Sequence, residues 1–142
     1  MEERYPIGAT GSIAVSVLRH ERPAAGYGMW SASIGLESGE ATVHVPGHYP
    51  GVLATRVRAA DATFAPGARL GRDEYLDLTA LVRHGEQTLA LSSTARSPVR
   101  VTIEVPRSEL GELANLLEHA QRLIEELKQG VGLVPDSLPD AL

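Results

Sequence analysis

Residues 99–129 read VRVTIEVPRSELGELANLLEHAQRLIEELKQ. Val99, Val101, Ile103 and Val105 share one face, and Arg100, Thr102 and Glu104 the other. Period-2 alternation of β-branched residues predicts a half-buried strand. Pro106 ends it, because proline offers no N–H to a ladder. Ser108 then reads as an N-cap, with Glu109 and Glu112 in a first turn whose dipole favours acids. The helix is expected over about residues 109–129, with Gly130 as its stop. Its apolar seam is Leu110, Leu113, Leu117, Ala120, Ile124 and Leu127, at alternating spacings of three and four. Leu116, Leu123 and Ala114 widen the seam on one side. A wide stripe suits a helix lying on its own core. A strict a/d seam suits pairing with a second copy in a homodimer. Both readings stand at this stage.

Upstream, the same alternation recurs. Ser12–Leu18 turns Ile13, Val15 and Val17 one way. Met29–Leu36 places Trp30, Ala32, Ile34 and Leu36 on one face. Ala41–Val45 alternates again after a turn containing Gly39, so the two segments form a hairpin that Pro46-Gly47 ends. Tyr75–Val82 and Gln87–Ser92 are strands around a turn at residues 83–86. Residues 52–60 fit either a strand or a short helix, since Leu53, Val57 and Ala60 also fall at i, i+4 and i+7. Pro66-Gly67 and Gly71 mark the following residues as loop. No repeat with a period of 20–50 residues is evident.

The stretch from Glu74 to Leu91, EYLDLTALVRHGEQTLAL, resembles a segment of the galactose-binding-like jelly-roll domains. The matching positions are Asp77, Leu78, Thr79, Leu81, Val82, Gly85, Glu86, Leu89 and Leu91, with Gln87 where those domains usually carry Asn. The resemblance implies one corner of a β-sandwich. In it an Asp/Thr turn tucks Leu81 and Val82 under the sandwich, and Gly85 reverses the chain. It implies sugar binding at the family level and transfers no binding residue.

The expected fold class is therefore mainly β (α+β). Antiparallel β-sandwich or jelly-roll-like strands are followed by one long C-terminal amphipathic helix. One domain covers residues 1–130, and residues 131–142 form a flexible acidic tail.

Composition narrows the function. The chain has 142 residues and no cysteine, so disulfides, thiolate nucleophiles and cysteine metal sites are out. The N-terminus is acidic without an apolar run, and no window reaches the roughly 20 apolar residues of a membrane span. A cytoplasmic location is expected, without a membrane role. Twelve arginines against one lysine, with many Ala and Gly, suggest a GC-rich bacterial genome. Net charge is −5, gathered in residues 108–142, while residues 55–107 carry +2. Nucleic acid is thus an unfavoured partner, although Arg56, Arg58, Arg69 and Arg72 offer a local basic patch.

Candidate chemistry is sparse. His44 and His48 are four apart, but Pro46-Gly47 breaks the helix that would let them share a metal. His84 with Asp73, Glu74 and Asp77 would be acid–base machinery only if folding brought them together. Ser92, Ser93 and Ser97 lack a nucleophile elbow. Residues 67–72, GARLGR, suggest a backbone anion cradle with two arginines. Tyr27, Trp30 and Tyr49, if exposed together, form a stacking surface. No catalytic, cofactor-binding or metal-binding residue is assigned, and no cofactor is expected.

The function expected is a non-enzymatic binding or assembly module acting through protein–protein contacts. One form is a homodimer through Leu110, Leu113, Leu117, Ala120, Ile124 and Leu127. Another is a toxin-neutralising immunity role. The alternative is a small-ligand or carbohydrate-binding sandwich, using Tyr27, Trp30, Tyr49, Arg69 and Arg72.

Overall fold

The alternation seen in sequence organises two four-stranded antiparallel sheets in a computed structural model that describes residues 2–21, 30–94 and 100–129. The first sheet is a meander of β1 (Glu2–Ala9), β2 (Ala14–Glu21), β3 (Trp30–Ser38) and β4 (Ala41–Pro46). Helix α1 (Pro50–Ala62) follows. The second meander is β5 (Arg69–Arg72), β6 (Leu76–Arg83), β7 (Glu86–Ser93) and β8 (Thr102–Pro106). A 3-10 turn (Arg107–Glu109) leads into α2 (Leu110–Gln129). The α+β class with a long C-terminal helix is as the sequence implies.

One open element is resolved, two strands are new, and one helix starts later than expected. Residues 50–62 are helical, with Pro50 at the helix start, where its missing N–H costs nothing. Leu53, Ala54, Val57 and Ala60 are buried, so the helical spacing prevails over the strand reading. β1 and β5 were not anticipated. Each is interrupted by a bulge, between Pro6 and Gly8 and between Arg69 and Gly71, which breaks the alternation that would reveal it. α2 begins at Leu110, and Ser108 lies within the 3-10 turn that precedes it.

The chain repeats itself with a period near sixty. Both halves are a four-stranded meander followed by a helix. Val45 and Val105, Pro46 and Pro106, Gly51 and Gly111, Leu53 and Leu113, Ala54 and Ala114, Ala60 and Ala120 stand sixty positions apart. The first hairpins correspond bond for bond at an offset of sixty-three. Thr10 N–H donates to the Ile13 carbonyl at 2.8 Å, and Asp73 N–H to the Leu76 carbonyl at 3.1 Å. Thr10 Oγ1 accepts from Ser12 N and Ile13 N, as Asp73 Oδ1 accepts from Tyr75 N and Leu76 N.

One hydrophobic core joins the halves. The inward faces are Val15, Val17, Ile34, Leu36, Val43 and Val45 in the first sheet, with Leu76, Leu78, Leu89, Leu91, Ile103 and Val105 in the second. Helix α2 packs on α1 and on β1 and β2. The two helices run past each other in opposite directions. Arg107, just before α2, binds Asp61 near the end of α1, while Gly51 at the start of α1 donates to Gln121 well along α2. Fully burying each leucine contributes about 1.5–3 kcal/mol.

The seam residues Leu110, Leu113, Leu117, Ala120 and Ile124 are all fully buried within this one chain. The first reading of the stripe thus holds: the seam is covered by α1 and the sheets, and is not free for a second copy. Leu127, at its far end, is half-buried. Residues 130–142, including the expected tail, lie outside the described residues.

Candidate functional site

Each sheet has a second face that points away from the core. In the second sheet, register places Arg72, Asp77, Ser92 and Thr102 side by side across β5, β6, β7 and β8. The neighbouring row is Arg69, Thr79, Ala90 and Glu104. Asp77 is the hub. Arg69 Nε donates to its Oδ1 at 3.2 Å and Arg69 Nη2 to its Oδ2 at 2.9 Å, a side-on fork. Arg100 Nη2 reaches Oδ2 at 3.3 Å. The Asp77 side chain is 9% exposed, while those of Arg69 and Arg100 are 58% and 60% exposed. The Arg69 hydrogen bond, opposed by burial and aided by the charges of Arg69, Arg100 and Arg72, holds the Asp77 carboxyl below its ordinary range. Asp77 therefore stays ionised and fixes two guanidinium groups that still face solvent. Ser92 and Thr102 share a hydroxyl hydrogen bond of 2.8 Å beside them.

The same positions in the first sheet carry none of this. Its corresponding rows are Ala9, Ala14, Glu37 and Thr42, then Pro6, Ser16, Gly35 and His44. Glu37 is paired with Arg4 at 2.9 Å. The fold is thus built twice, and the arginine cluster only once.

Two polar joints bind the halves together. Glu109, just before α2, reaches the β1–β2 turn. It accepts from Thr10 Oγ1, and from Ser12 N and Oγ at 2.8 and 2.9 Å. Burial alone would raise its carboxyl, yet these three donors outweigh it and hold the group low. The sixty-offset partner of Glu109 is Tyr49, just before α1, whose hydroxyl donates to Asp73 in the β5–β6 turn. Arg56 Nη1 binds Asp73 at 2.8 Å, and Arg56 Nη2 donates to the Gly71 carbonyl at 3.0 Å. Burial raises the Tyr49 hydroxyl to about 12, with the Asp73 hydrogen bond adding to it. Burial would also raise Asp73, but the Tyr49 hydroxyl, the N–H groups of Leu76 and Tyr75, and Arg56 hold it low.

Acid is expected to undo both joints and the hub. Three carboxylates with depressed folded-state values contribute stability that is fully present above their unfolded value, near about 4. That stability is lost as pH falls through the lower folded values. The urea midpoint should stay level from about pH 7 to 5 and drop between about pH 4 and 2. An unchanged midpoint between about pH 5 and 3 would contradict the assignment.

Of the sequence candidates, Arg69 and Arg72 share the arginine face, whereas Arg56 is tied into the Asp73 joint and Arg58 pairs with Glu118 on α2 at 2.9 Å. Arg100 completes the cluster and was not singled out; only the outward parity of residues 99–105 signalled it. Residues 67–72 do not form a backbone cradle, because Gly67 N–H bonds the Ala80 carbonyl and residues 69–72 are strand. Tyr49 is buried edge-on against Tyr75, and Trp30 lies under the Arg19 guanidinium, so each ring is already engaged within the fold. Tyr27 lies outside the described residues. His48 contacts Tyr75, and His84 occupies the β6–β7 turn about 26 Å along the strand. His44 is exposed on the outer face of the first sheet. Among the described residues no group of three His, Cys, Asp or Glu is placed to hold a metal. Ser92 bonds Thr102, and Ser93 accepts from Val101 N. Ser97 lies outside the described residues.

In the stretch that resembles a jelly-roll corner, Gly85 and His84 both have positive φ and close a two-residue hairpin. Asp77 and Thr79 stand in strand β6 instead of a turn, and Val82 is 51% exposed instead of tucked under. No protein-family model matches the chain, and no curated protein matches it either. Among the described residues no helix is long and apolar enough to cross a membrane.

Proposed function

We propose that the protein is a non-enzymatic binding module acting through protein–protein contacts, with the outer face of the second sheet as its contact surface. The observation that carries this reading is the exposed arginine cluster on one copy of a duplicated sheet whose other copy lacks it. Packing does not require Arg69 and Arg72, because Pro6 and Ala9 occupy their places in the same architecture. The partner implied is an acidic protein segment. The chain's overall charge of −5 would repel such a partner at long range. Within a Debye length of about 8–10 Å the local arginines prevail.

A labelled poly-glutamate peptide is a direct probe, read by fluorescence anisotropy. Wild-type protein should bind it weakly at low salt, with affinity falling as salt rises. Changing Arg69, Arg72 and Arg100 together to Ala should reduce binding about a hundredfold. Equal binding by wild type and the triple variant would refute the surface. The small-ligand alternative is favoured at one point only: Arg69 and Arg72 do come together.

A further inference from the structure

We infer that the arginine face is a phosphate site, in which Arg69, Arg72 and Arg100 recognise a phosphorylated serine or threonine of a partner protein. This rests on the proposal above that the face is a contact surface, and it names the group that the face selects.

Charge arithmetic is the first argument. Three guanidinium groups and the Asp77 carboxylate leave two positive charges on a patch made of one cross-strand row and its neighbours. A phosphomonoester carries about −1.5 to −2 at neutral pH, and a carboxylate only −1. The patch therefore matches the phosphate and is under-neutralised by a single Asp or Glu.

Donor supply is the second argument. An arginine has five N–H donors. Asp77 accepts two from Arg69 and one from Arg100. Arg72 is exposed beside them in the register row. The donors left over on three neighbouring arginines outnumber what one carboxylate can accept, and a phosphoryl group offers three oxygens against a carboxylate's two. Asp77 also restrains two of the three side chains before binding, which lowers the entropy lost when they close on an anion. Glu104, in the neighbouring cross-strand row, is paired with Arg83 at 2.9 Å, so its charge is offset by that pairing.

The test uses the full chain and three labelled peptides that differ at one position: phosphoserine, glutamate and serine in a glycine context. Anisotropy titrations at fixed ionic strength should give the order phosphoserine, glutamate, serine, with about tenfold between the first two. Arg72→Ala and Arg100→Ala should each weaken the phosphopeptide about tenfold. Arg4→Ala, which removes the same charge from the first sheet, should leave it unchanged. Circular dichroism on each variant confirms the fold, as these side chains are exposed. Inorganic phosphate should compete only far above the phosphopeptide's own dissociation constant. Competition at equal concentration would make free phosphate the ligand and overturn the peptide assignment. Equal binding of the phosphoserine and glutamate peptides would overturn the phosphate site while leaving the acidic contact surface standing. Loss of poly-glutamate binding as well would remove both.

Discussion

Leu117→Ala is expected to lower the unfolding free energy by about 3–5 kcal/mol while leaving the molecular mass unchanged. Leu117 sits at the middle of α2, fully buried in the shared core. α2 packs on α1 and on the first sheet, so a cavity on its buried face removes contacts that hold the two halves together. The cost of a large-to-small change grows with the cavity that remains, and helices held by sheets on other sides collapse little. Leu117→Glu goes further: it buries a carboxylate with no partner, and no folded chain is expected. Urea unfolding with light-scattering mass across a concentration series reads both. A wild-type dimer that becomes a folded monomer on Leu117→Glu would instead place the seam between subunits. It would also require a core other than the one described. The same scattering series therefore decides between the two sequence readings of the helix.

How far the sequence foretells this arrangement depends on the distance over which each residue finds its partner. β2, β3, β4, β6, β7 and β8 were legible because their apolar residues alternate against a single core. The period survives in Ile34 and Leu36 and in Ile103 and Val105. α1 was ambiguous because Arg56 and Arg58 interrupt either pattern, and the residues that resolve it lie far along the chain: Asp73 for Arg56, Glu118 for Arg58. Glu109 looked like an ordinary first-turn acid. Its partners, Thr10 and Ser12, stand almost a hundred residues away, so the helix N-terminus alone could not reveal that it clasps the first hairpin. The duplication was obscured for a related reason. Packing preserves Val-Pro and the later G-x-L-A, because these residues end a strand and start a buried helix face. The outward rows changed freely, from Ala9 and Ala14 to Arg72 and Asp77. The arginine face was half visible, as Arg69 and Arg72. Arg100 joins it only once β8 lies beside β7 and its guanidinium reaches Asp77 across the sheet.

The second large effect is expected at the Tyr49–Asp73–Arg56 joint. Asp73→Ala removes the acceptor for four donors at once: the Tyr49 hydroxyl, Arg56, and the N–H groups of Tyr75 and Leu76. Water can reach part of this site, since the Asp73 side chain is 33% exposed. The Tyr49 ring is almost fully buried, so its hydroxyl loses its acceptor where solvent access is poor. A loss of about 2–4 kcal/mol follows from leaving a buried donor and a half-buried guanidinium unmatched. Asp73→Asn separates the causes. It keeps one oxygen for the two backbone N–H groups and removes the charge that Arg56 pairs with, so about 1–2 kcal/mol should be lost. Tyr49→Phe deletes one donor and leaves Arg56 on Asp73, and should cost about 1 kcal/mol. As pH falls towards the lowered range in which Asp73 takes up its proton, the gap between wild type and Asp73→Asn should narrow. Stability measured by urea at about pH 7 and pH 3 checks this. If Asp73→Ala proves as mild as Tyr49→Phe, the joint is decoration on a core that holds without it. If the ranking appears as stated, the polar clasp between each helix start and the opposite hairpin is what registers the two halves, because apolar packing alone would tolerate a shift of one half against the other.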